Sequence, residues 1–273
     1  MSHVWKAHGL GNDYLVWEGD APLDAVQVRA LCDRHRGPGG DGVLEPADPG
    51  PAEHGVRIWN PDGSVAEKSG NGLRIFARWL ADRGAGTRFR VWTQSDLVAC
   101  VVGDDTIRVA MGRFTTDPAQ VPIAAAGPWI GRVVDPLGLP VVAVGVGNPH
   151  AVVWQDGPLD ALPWRAWGAA LEVHPLFPRR TNVQFARVLD RRTAELRVWE
   201  RGAGETAASG SSACAVAAAG VLTGRLDRGR LALHMRGGTL HVEVDDDDGL
   251  HLEGPVTPVG RTALDPRWWA TVR

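Results

Sequence analysis

Short segments that alternate hydrophobic and polar residues dominate the chain, and they predict β-strands. Val, Ile and Trp alternate with charged residues, while Gly, Pro and Asp separate the segments, which is typical of strands joined by tight turns. The clearest segments are residues 55–60, 88–93, 106–111, 151–154, 195–200 and 231–235. We therefore expect a fold rich in β-sheet.

Two longer segments have the spacing of helices. Residues 70–84 place their apolar side chains on one helical face, namely Leu73, Phe76, Ala77 and Leu80. Gly84 stands where a helix commonly ends. Residues 211–226 are rich in alanine and apolar on nearly every side, which predicts a buried helix. A Ser-Gly pair precedes each helix, beginning at Ser69 and at Ser209.

The two halves of the chain form an internal repeat. The fragments Gly-Asn-Asp-Tyr (11–14) and Gly-Asn-Pro-His (147–150) each precede a strand, a glycine-rich loop, a Ser-Gly pair and a helix. Asn60 and Glu200 each lie nine residues before the serine of their own half. Residues 112–128 carry three prolines and no periodicity, so we interpret them as the crossover between the halves.

This repeat suggests a specific chemistry. The start of a helix offers unpaired N–H groups and the positive end of the helix dipole, so it binds anions. If a pseudo-twofold axis brought Ser69 and Ser209 face to face across a cleft, two helix starts would hold one carboxylate. They would also stabilise the enediolate that forms when the adjacent carbon loses its proton. One side chain on each face of that carbon is the arrangement required for stereoinversion.

Composition narrows the class of protein. The chain has 273 residues with 22% charged residues and a net charge of -3, and nothing in it indicates nucleic-acid binding. Three cysteines without C-x-x-C spacing indicate neither a disulfide framework nor a zinc site, and we expect a reducing, cytoplasmic location. No run approaches the roughly 18 apolar residues of a membrane span, so we expect no membrane partner.

Six motifs carry a resemblance to a known family: KAHGLGNDY, RHRGPGGDG, NPDGSVAEKSGNGLR, GNPHAVV, RTNVQF and ERGAGETAASGSSACA. In this order they resemble diaminopimelate epimerase, a cofactor-independent isomerase family of lysine and peptidoglycan biosynthesis. The resemblance implies an α+β fold with two pseudosymmetric domains. Each would be a mostly antiparallel sheet curled around a central helix, with the active site between the domains. We place the domains at residues 1–117, joined by 260–273, and at 118–259.

The resemblance also implies roles for individual residues. Ser69 and Ser209 match the acid-base positions, and His150 matches a histidine beside one of them. The positions that match substrate-binding residues are Asn12, Asn60, Gly70, Asn71, Asn148, Asn182, Glu200, Arg201, Gly210 and Ser211. Arg201 suits a carboxylate and Glu200 an ammonium group. The implied ligand is a small amino acid, with no cofactor and no metal, and a homodimer stays open.

The sequence departs from the family at the two bases. The family uses cysteines, whereas both positions here are serine, Ser69 and Ser209. A thiol has a pKa near ~8.5, which falls at a helix start, so its thiolate is accessible at neutral pH. An alcohol needs help from a neighbouring group. His150, or a loop carboxylate such as Glu67 or Glu205, is a candidate for that help.

Three alternatives to a serine-based epimerase stay open at this point. The first is that the serines replace native cysteines in an altered enzyme, although Gly42, Lys68 and Ser212 also depart from the family and favour natural divergence. The second is a different isomerisation, cyclisation or dehydration, and the third is amino-acid binding without turnover. The glycines of residues 202–207 resemble a dinucleotide-binding loop, but the surrounding elements do not fit one.

Overall fold

A computed structural model describes residues 2–66 and 68–272 of the chain. The chain divides into two compact units: the first runs to Val109 and resumes at Gly254, and the second is Ala110–Glu253. The boundaries expected from the sequence, after residues 117 and 259, lie a few residues closer to the C-terminus than these two boundaries. Glu67, one of the two suggested replacement bases, lies outside the described residues.

The N-terminal part of the first unit is a sheet with two helices. Its elements are β1 (His3–Gly9), β2 (Asn12–Trp17), α1 (Ala25–Cys32), β3 (Val43–Ala47), β4 (His54–Trp59), β5 (Val65–Ala66), α2 (Gly70–Ala81), β6 (Arg88–Trp92), β7 (Leu97–Val102) and the start of β8 (Ile107–Arg113). Strands β2 and β3 are parallel, as are β4 and β6, and the other pairs are antiparallel.

The second unit repeats this order after one additional strand. It contains β9 (Ile130–Val134), β10 (Leu139–Gly145), β11 (Pro149–Trp154), a short 3-10 turn (Leu159–Ala161), α3 (Trp164–Glu172), β12 (Asn182–Asp190), β13 (Thr193–Glu200), β14 (Gly204–Thr206), α4 (Gly210–Leu222), β15 (Gly229–Met235), β16 (Gly238–Val244) and β17 (Gly249–Gly254). Its parallel pairs, β11 with β12 and β13 with β15, fall at the same places in the order.

The chain then returns to the first unit. Strand β18 (Thr257–Ala263) pairs antiparallel with β1, and α5 (Pro266–Thr271) follows it. The shared order of elements confirms the internal repeat and the α+β fold with two pseudosymmetric units. The two repeated fragments, 11–14 and 147–150, both lie where a hairpin turn enters its second strand.

Each unit is built around one of the two predicted helices. In α2 the apolar face is buried, including Leu73, Phe76 and Ala77, and the chain leaves the helix through Gly84, whose φ is 88°. In α4 every residue from Ser212 to Gly220 is buried, because strands of its own sheet, among them β10–β13, β15 and β16, pack against it. Both helix predictions are therefore confirmed.

Three other helices were not predicted, because they are short. Asp24 and Gln27 form a capping box at the start of α1, which is a signal visible in sequence. Helix α3 begins after Pro163 without a side-chain cap, and α5 has only six residues. Within the described residues, no helix combines the length and apolar character needed to cross a membrane.

Candidate functional site

The first serine caps helix α2. Ser69 has extended backbone angles (φ -138°, ψ 111°), and its Oγ accepts the N–H of Gly72 at 3.0 Å. The same Oγ accepts a second hydrogen bond from the hydroxyl of Tyr14 at 3.2 Å. Capping by the serine gives the Gly72 N–H an acceptor. The N–H groups of Gly70 and Asn71 also lie in the first turn, where a helix supplies no carbonyl partner.

Asn71 links the start of α2 to the hairpin turn before β2. Its side-chain nitrogen donates to the carbonyl and to Oδ1 of Asn12, at 2.8 and 2.7 Å. Arg74, which is buried, donates to Asn71 Oδ1 and to the carbonyl of Gly70, both at 3.1 Å. A Cβ on Gly9 would lie 2.0 Å from Asn71 Oδ1, so a glycine is required there. Asn12, Gly70 and Asn71 are thus brought together.

A network of charged residues holds the hairpin turn that carries Asn12. Asn12 donates to Asp41 at 2.8 Å, and Arg34 bridges Asp41 and Asp13 at 2.6 Å each. Lys6 pairs with Asp13 at 2.9 Å. Burial raises the pKa of Asp13, but the hydrogen bonds from Arg34 and Lys6 outweigh it and lower this pKa to about 2. The carboxylate therefore stays ionised at physiological pH and fixes the hairpin turn.

Asn60 directly follows β4, in the turn before β5. Its amide donates to the Ser64 hydroxyl at 3.0 Å, and its backbone N–H donates to the Ser64 carbonyl at 2.8 Å. The tight turn 60–64 therefore orients Asn60. Lys68, just before the capping serine, pairs with Asp96 at 2.6 Å.

The second serine caps helix α4 in the same way. Ser209 (φ -145°, ψ 124°) is buried, and its Oγ accepts the N–H of Ser212 at 3.4 Å. Its own N–H donates to the sulfur of Met235 at 3.4 Å, and Gly237 N–H donates to the Ala207 carbonyl at 2.8 Å. The turn after β15 therefore holds the loop that precedes Ser209, and Gly210 and Ser211 form the first turn of the helix.

His150 is buried and held by two amide side chains. Its Nδ1 accepts a hydrogen bond from Gln184 Nε2 at 3.0 Å, and its Nε2 lies 2.8 Å from Asn148 Oδ1. Gln184 Nε2 also donates to the Ser212 hydroxyl at 3.0 Å. Among the described residues, none of the hydrogen bonds of His150 reaches Ser209. The resemblance implies a position for His150 beside one of the two acid-base serines, and the structure connects it to Ser212 through Gln184.

Burial sets the protonation state of His150. Desolvation, which outweighs the hydrogen bond from Gln184, lowers its pKa to about 3, and the charge of Arg201 adds to the lowering. The imidazole is therefore neutral at physiological pH. With Gln184 Nε2 donating to Nδ1, the single ring proton lies on Nε2 and donates to Asn148. This arrangement orients Asn148.

The neutral state of His150 predicts a pH dependence of stability. Between about pH 6.5, where histidine ordinarily titrates, and about pH 3, the unfolded chain binds a proton that the folded chain does not. Stability is therefore lost as the pH falls through this window, with this group contributing a slope of up to about 1.4 kcal/mol per pH unit. Urea unfolding at pH 4 to 7 should show a shallower pH slope for His150→Gln than for the unaltered protein. Equal slopes would contradict the buried neutral state.

A third cluster forms around the turn after β13. Asn182 donates to the Pro149 carbonyl at 3.0 Å and accepts the N–H of Arg201 at 3.0 Å. The side chain of Arg201 is exposed and donates to the carbonyl of Arg179 at 3.3 Å. Glu200, half-buried at the end of β13, precedes it. The structure thus brings Asn182, Glu200 and Arg201 together at one turn.

Glu172, at the end of α3, holds this turn in place. One carboxylate oxygen accepts the N–H of Gly202 at 2.7 Å, and the other accepts the indole N–H of Trp199 at 2.7 Å. Arg180 forms an ion pair with the same buried carboxylate. The first unit uses a similar device, in which the buried Glu45 accepts the indole N–H of Trp59 at 2.8 Å. Each tryptophan directly precedes a candidate binding residue.

Glu205 is already engaged by two arginines. It pairs with Arg165 at 2.6 Å and with Arg236 at 2.5 Å. Arg236 also pairs with Asp160, which pairs in turn with Arg197, both at 2.7 Å. This placement gives Glu205 the role of a structural anion that fixes the loop before Ser209.

Three residues important to these sites were missed by the sequence analysis: Tyr14, Gln184 and Glu172. Tyr14 stands at the repeat position equivalent to His150, since it ends the Gly-Asn-Asp-Tyr fragment and His150 ends Gly-Asn-Pro-His. That correspondence was a signal available in the sequence. Glu172 carries no local signal, and Gln184 lies in the motif RTNVQF without a role assigned to it. Gln184 Oε1 is buried and has no hydrogen-bond partner among the residues that the structure describes.

Comparisons of the sequence with known proteins all identify diaminopimelate epimerases. The sequence pattern of the diaminopimelate epimerase family matches residues 4–116 and 142–259. The diaminopimelate epimerase of Desulforudis audaxviator (strain MP104C) is 42% identical over 277 residues, covering 96% of this chain and 98% of the relative. The diaminopimelate epimerase of Pelotomaculum thermopropionicum is 39% identical, covering 94% of this chain and 96% of the relative.

Solved structures show the same fold at lower identity. A predicted epimerase from Pseudomonas aeruginosa has a TM-score of 0.68 at 21% identity, covering 97% of this chain and 99% of that one. A hydroxyproline epimerase from Agrobacterium vitis, with bound trans-4-hydroxy-L-proline, has a TM-score of 0.70 at 17% identity, covering 98% and 94%. At these identities the likeness concerns the fold.

Proposed function

Because the chain belongs to the diaminopimelate epimerase family, a family of amino-acid isomerases, we propose that it inverts the α-carbon of a free amino acid. The observation that carries this proposal is the repeat of one local structure. In both units a serine caps a buried helix, and that helix starts with residues whose N–H groups suit a carboxylate. Two equivalent carboxylate-binding helix starts in one chain fit a reaction that needs a group on each face of one carbon.

The proposed reaction is a proton exchange through a stabilised carbanion. One serine position removes the α-proton, the electron pair of the broken C–H bond moves into the carboxylate, and the helix starts stabilise the resulting enediolate. The other serine position returns a proton from the opposite face. Ser69 and Ser209 are the proposed proton-transfer positions, and His150 contributes by orienting Asn148 in the second unit.

The side chains around the third cluster favour a substrate with two charged ends. Arg201 offers a guanidinium for a carboxylate, and Glu200 offers a carboxylate for an ammonium group. Asn182 adds an amide group at the same turn, and Asn60 and Asn148 are amides at two further positions that match substrate-binding residues of the family. A far end that carries both an amino and a carboxylate group matches diaminopimelate, the compound after which the relatives are named. We therefore favour diaminopimelate or a close analogue as the substrate.

The lysines support a reaction without pyridoxal phosphate. That cofactor is held as a Schiff base by a lysine, and the sequence contains only Lys6 and Lys68. Lys6 pairs with Asp13 at 2.9 Å and donates to the Gly39 carbonyl at 2.7 Å, while Lys68 pairs with Asp96 at 2.6 Å. Both ammonium groups already stabilise the fold.

Chiral chromatography tests the proposal. The purified chain should interconvert stereoisomers of diaminopimelate without added cofactor, and it should leave monoamino acids such as alanine unchanged. Calorimetry on the same samples measures binding of diaminopimelate, and so distinguishes an isomerase from a protein that binds the amino acid without turnover. Tight binding of diaminopimelate without interconversion would overturn the isomerase and identify an amino-acid-binding protein that has lost the chemistry. If diaminopimelate is neither bound nor interconverted, the proposed substrate class is rejected.

A further inference from the structure

The two serines differ in their hydrogen bonds. Ser69 Oγ accepts two, one from the Gly72 N–H at 3.0 Å and one from the Tyr14 hydroxyl at 3.2 Å. A hydroxyl oxygen has two lone pairs and one proton, so accepting twice leaves only its own O–H to donate. Among the described residues, Ser209 Oγ in contrast accepts one long bond, from Ser212 N–H at 3.4 Å. While the Tyr14 hydroxyl is protonated, the Ser69 hydroxyl is therefore held as a proton donor.

Tyr14 is held in place for this contact. Its ring is buried, with 7% of its surface exposed. A Cβ on Gly42 would lie 2.5 Å from Tyr14 Cε1 and 2.5 Å from the Trp59 carbonyl, so the ring occupies space that a side chain at position 42 would need. The glycine therefore allows the phenol to reach Ser69, which is 55 residues away in sequence.

The equivalent position in the second unit does something different. Tyr14 and His150 end the two repeated fragments, but His150 contacts Gln184 and Asn148, and Gln184 connects it to Ser212. The first unit thus places an ionisable hydroxyl directly on its capping serine, whereas no described residue of the second unit does so for Ser209. The two proton-transfer positions are chemically unequal.

We propose that Tyr14 is a positioning residue that passes a proton to and from Ser69, so that the pair replaces a single thiol. This inference rests on the proposed function. When the carbanion is protonated, the Ser69 proton goes to the α-carbon, whose electron pair forms the new C–H bond. The Tyr14 proton goes to Ser69 Oγ, and the negative charge ends on the phenolate. In the opposite direction the phenolate takes the Ser69 proton while Ser69 takes the α-proton.

A phenol suits this task because it is more acidic than an alcohol. Phenols ordinarily have a pKa of about 10, close to that of an ordinary thiol at about 8.5. Alcohols are so much weaker as acids that they react only with a neighbouring base. The negative charge that an isolated serine cannot carry is thus delocalised on the ring.

The test removes the hydroxyl and keeps the ring. Tyr14→Phe should slow α-proton loss in deuterium oxide by about 10²-fold for one configuration of the reacting carbon, in the lower range of what a proton-transfer group contributes. Ser69→Ala should slow the same configuration, and Ser209→Ala the other. KM should stay within about two-fold, because Tyr14 acts only through Ser69.

A double-mutant cycle separates proton transfer from a structural effect. In a Ser69→Cys background the thiol carries the charge itself, so Tyr14→Phe should cost less than about three-fold. Equal losses in both backgrounds, or equal slowing of both configurations, would overturn the role of Tyr14. If the unaltered protein exchanges no α-proton at all, the proposed function fails first. If it exchanges and Tyr14→Phe matches it, only this inference fails.

Discussion

Replacing both capping serines with cysteine, Ser69→Cys and Ser209→Cys, is expected to accelerate α-proton exchange by about 10²-fold or more. A thiol is a far stronger acid than an alcohol, and the N-terminus of a helix stabilises its thiolate further, so each base becomes available at neutral pH. Both positions are helix caps with extended backbone angles that any residue adopts. Initial rates of exchange, followed by proton NMR in deuterium oxide, measure the effect.

A thiol placed nearby provides the matched control. Ser212 lies three residues beyond Ser209 inside the same helix, fully buried, and accepts from Gln184. Ser212→Cys should therefore bring no acceleration. If the double variant folds, binds the amino acid and exchanges no faster than the unaltered protein, the chain has diverged beyond its two bases, and the alternative reactions gain weight.

Glu172→Ala is expected to destabilise the protein by about 2 kcal/mol, because it removes a buried carboxylate that accepts from two N–H groups and pairs with an arginine. The Gly202 N–H and the Trp199 indole N–H each lose an acceptor at 2.7 Å, and Arg180 loses its ion pair. The turn that carries Glu200 and Arg201 would then loosen. We therefore expect KM for diaminopimelate to rise at least about ten-fold as well. Urea unfolding and steady-state kinetics measure the two effects.

Glu53→Ala is the control for this prediction. Glu53 also pairs with an arginine, Arg90, at 3.2 Å, but both side chains are about half exposed. Its removal should cost much less stability than the Glu172 substitution and leave KM unchanged, because an exposed ion pair contributes little. A similar cost for both variants would show that the buried carboxylate does not organise the turn.

The main helices and the repeat could be predicted because their signals are local. A serine followed by glycine and an apolar run marks the start of each buried helix, and the two hairpin fragments recur with the same downstream order. The six strand segments named from the sequence all fall on strands for the same reason, since their alternation is a property of consecutive residues. The resemblance to the family then assigned roles to individual positions.

The contacts that distinguish this chain could not be predicted, because they join residues distant in sequence. The bond from Tyr14 to Ser69 depends on the absence of a side chain at Gly42. The support of the 200–202 turn comes from Glu172, 30 residues before Gly202, on a helix that lacks a capping signal. The protonation state of His150 could not be predicted either, because burial in the folded chain lowers its pKa and keeps it neutral.

The role of Glu205 could not be predicted either, although the residue itself was noticed in the sequence. Its position in the loop before Ser209 made it a candidate base. The two arginines that hold it come from α3 and from the turn after β15, and neither is near it in sequence. A loop carboxylate can be recognised from sequence, but its partners are set by the fold.

The most direct test of the central claim is the fate of the α-proton in deuterium oxide. The unaltered chain, incubated with one stereoisomer of diaminopimelate and no cofactor, should replace the α-proton by deuterium and form the inverted centre. Ser69→Ala and Ser209→Ala should each abolish inversion. Full retention of the α-proton by diaminopimelate and by other diamino acids, at protein concentrations that saturate binding, would contradict an isomerase built on two serine-capped helices.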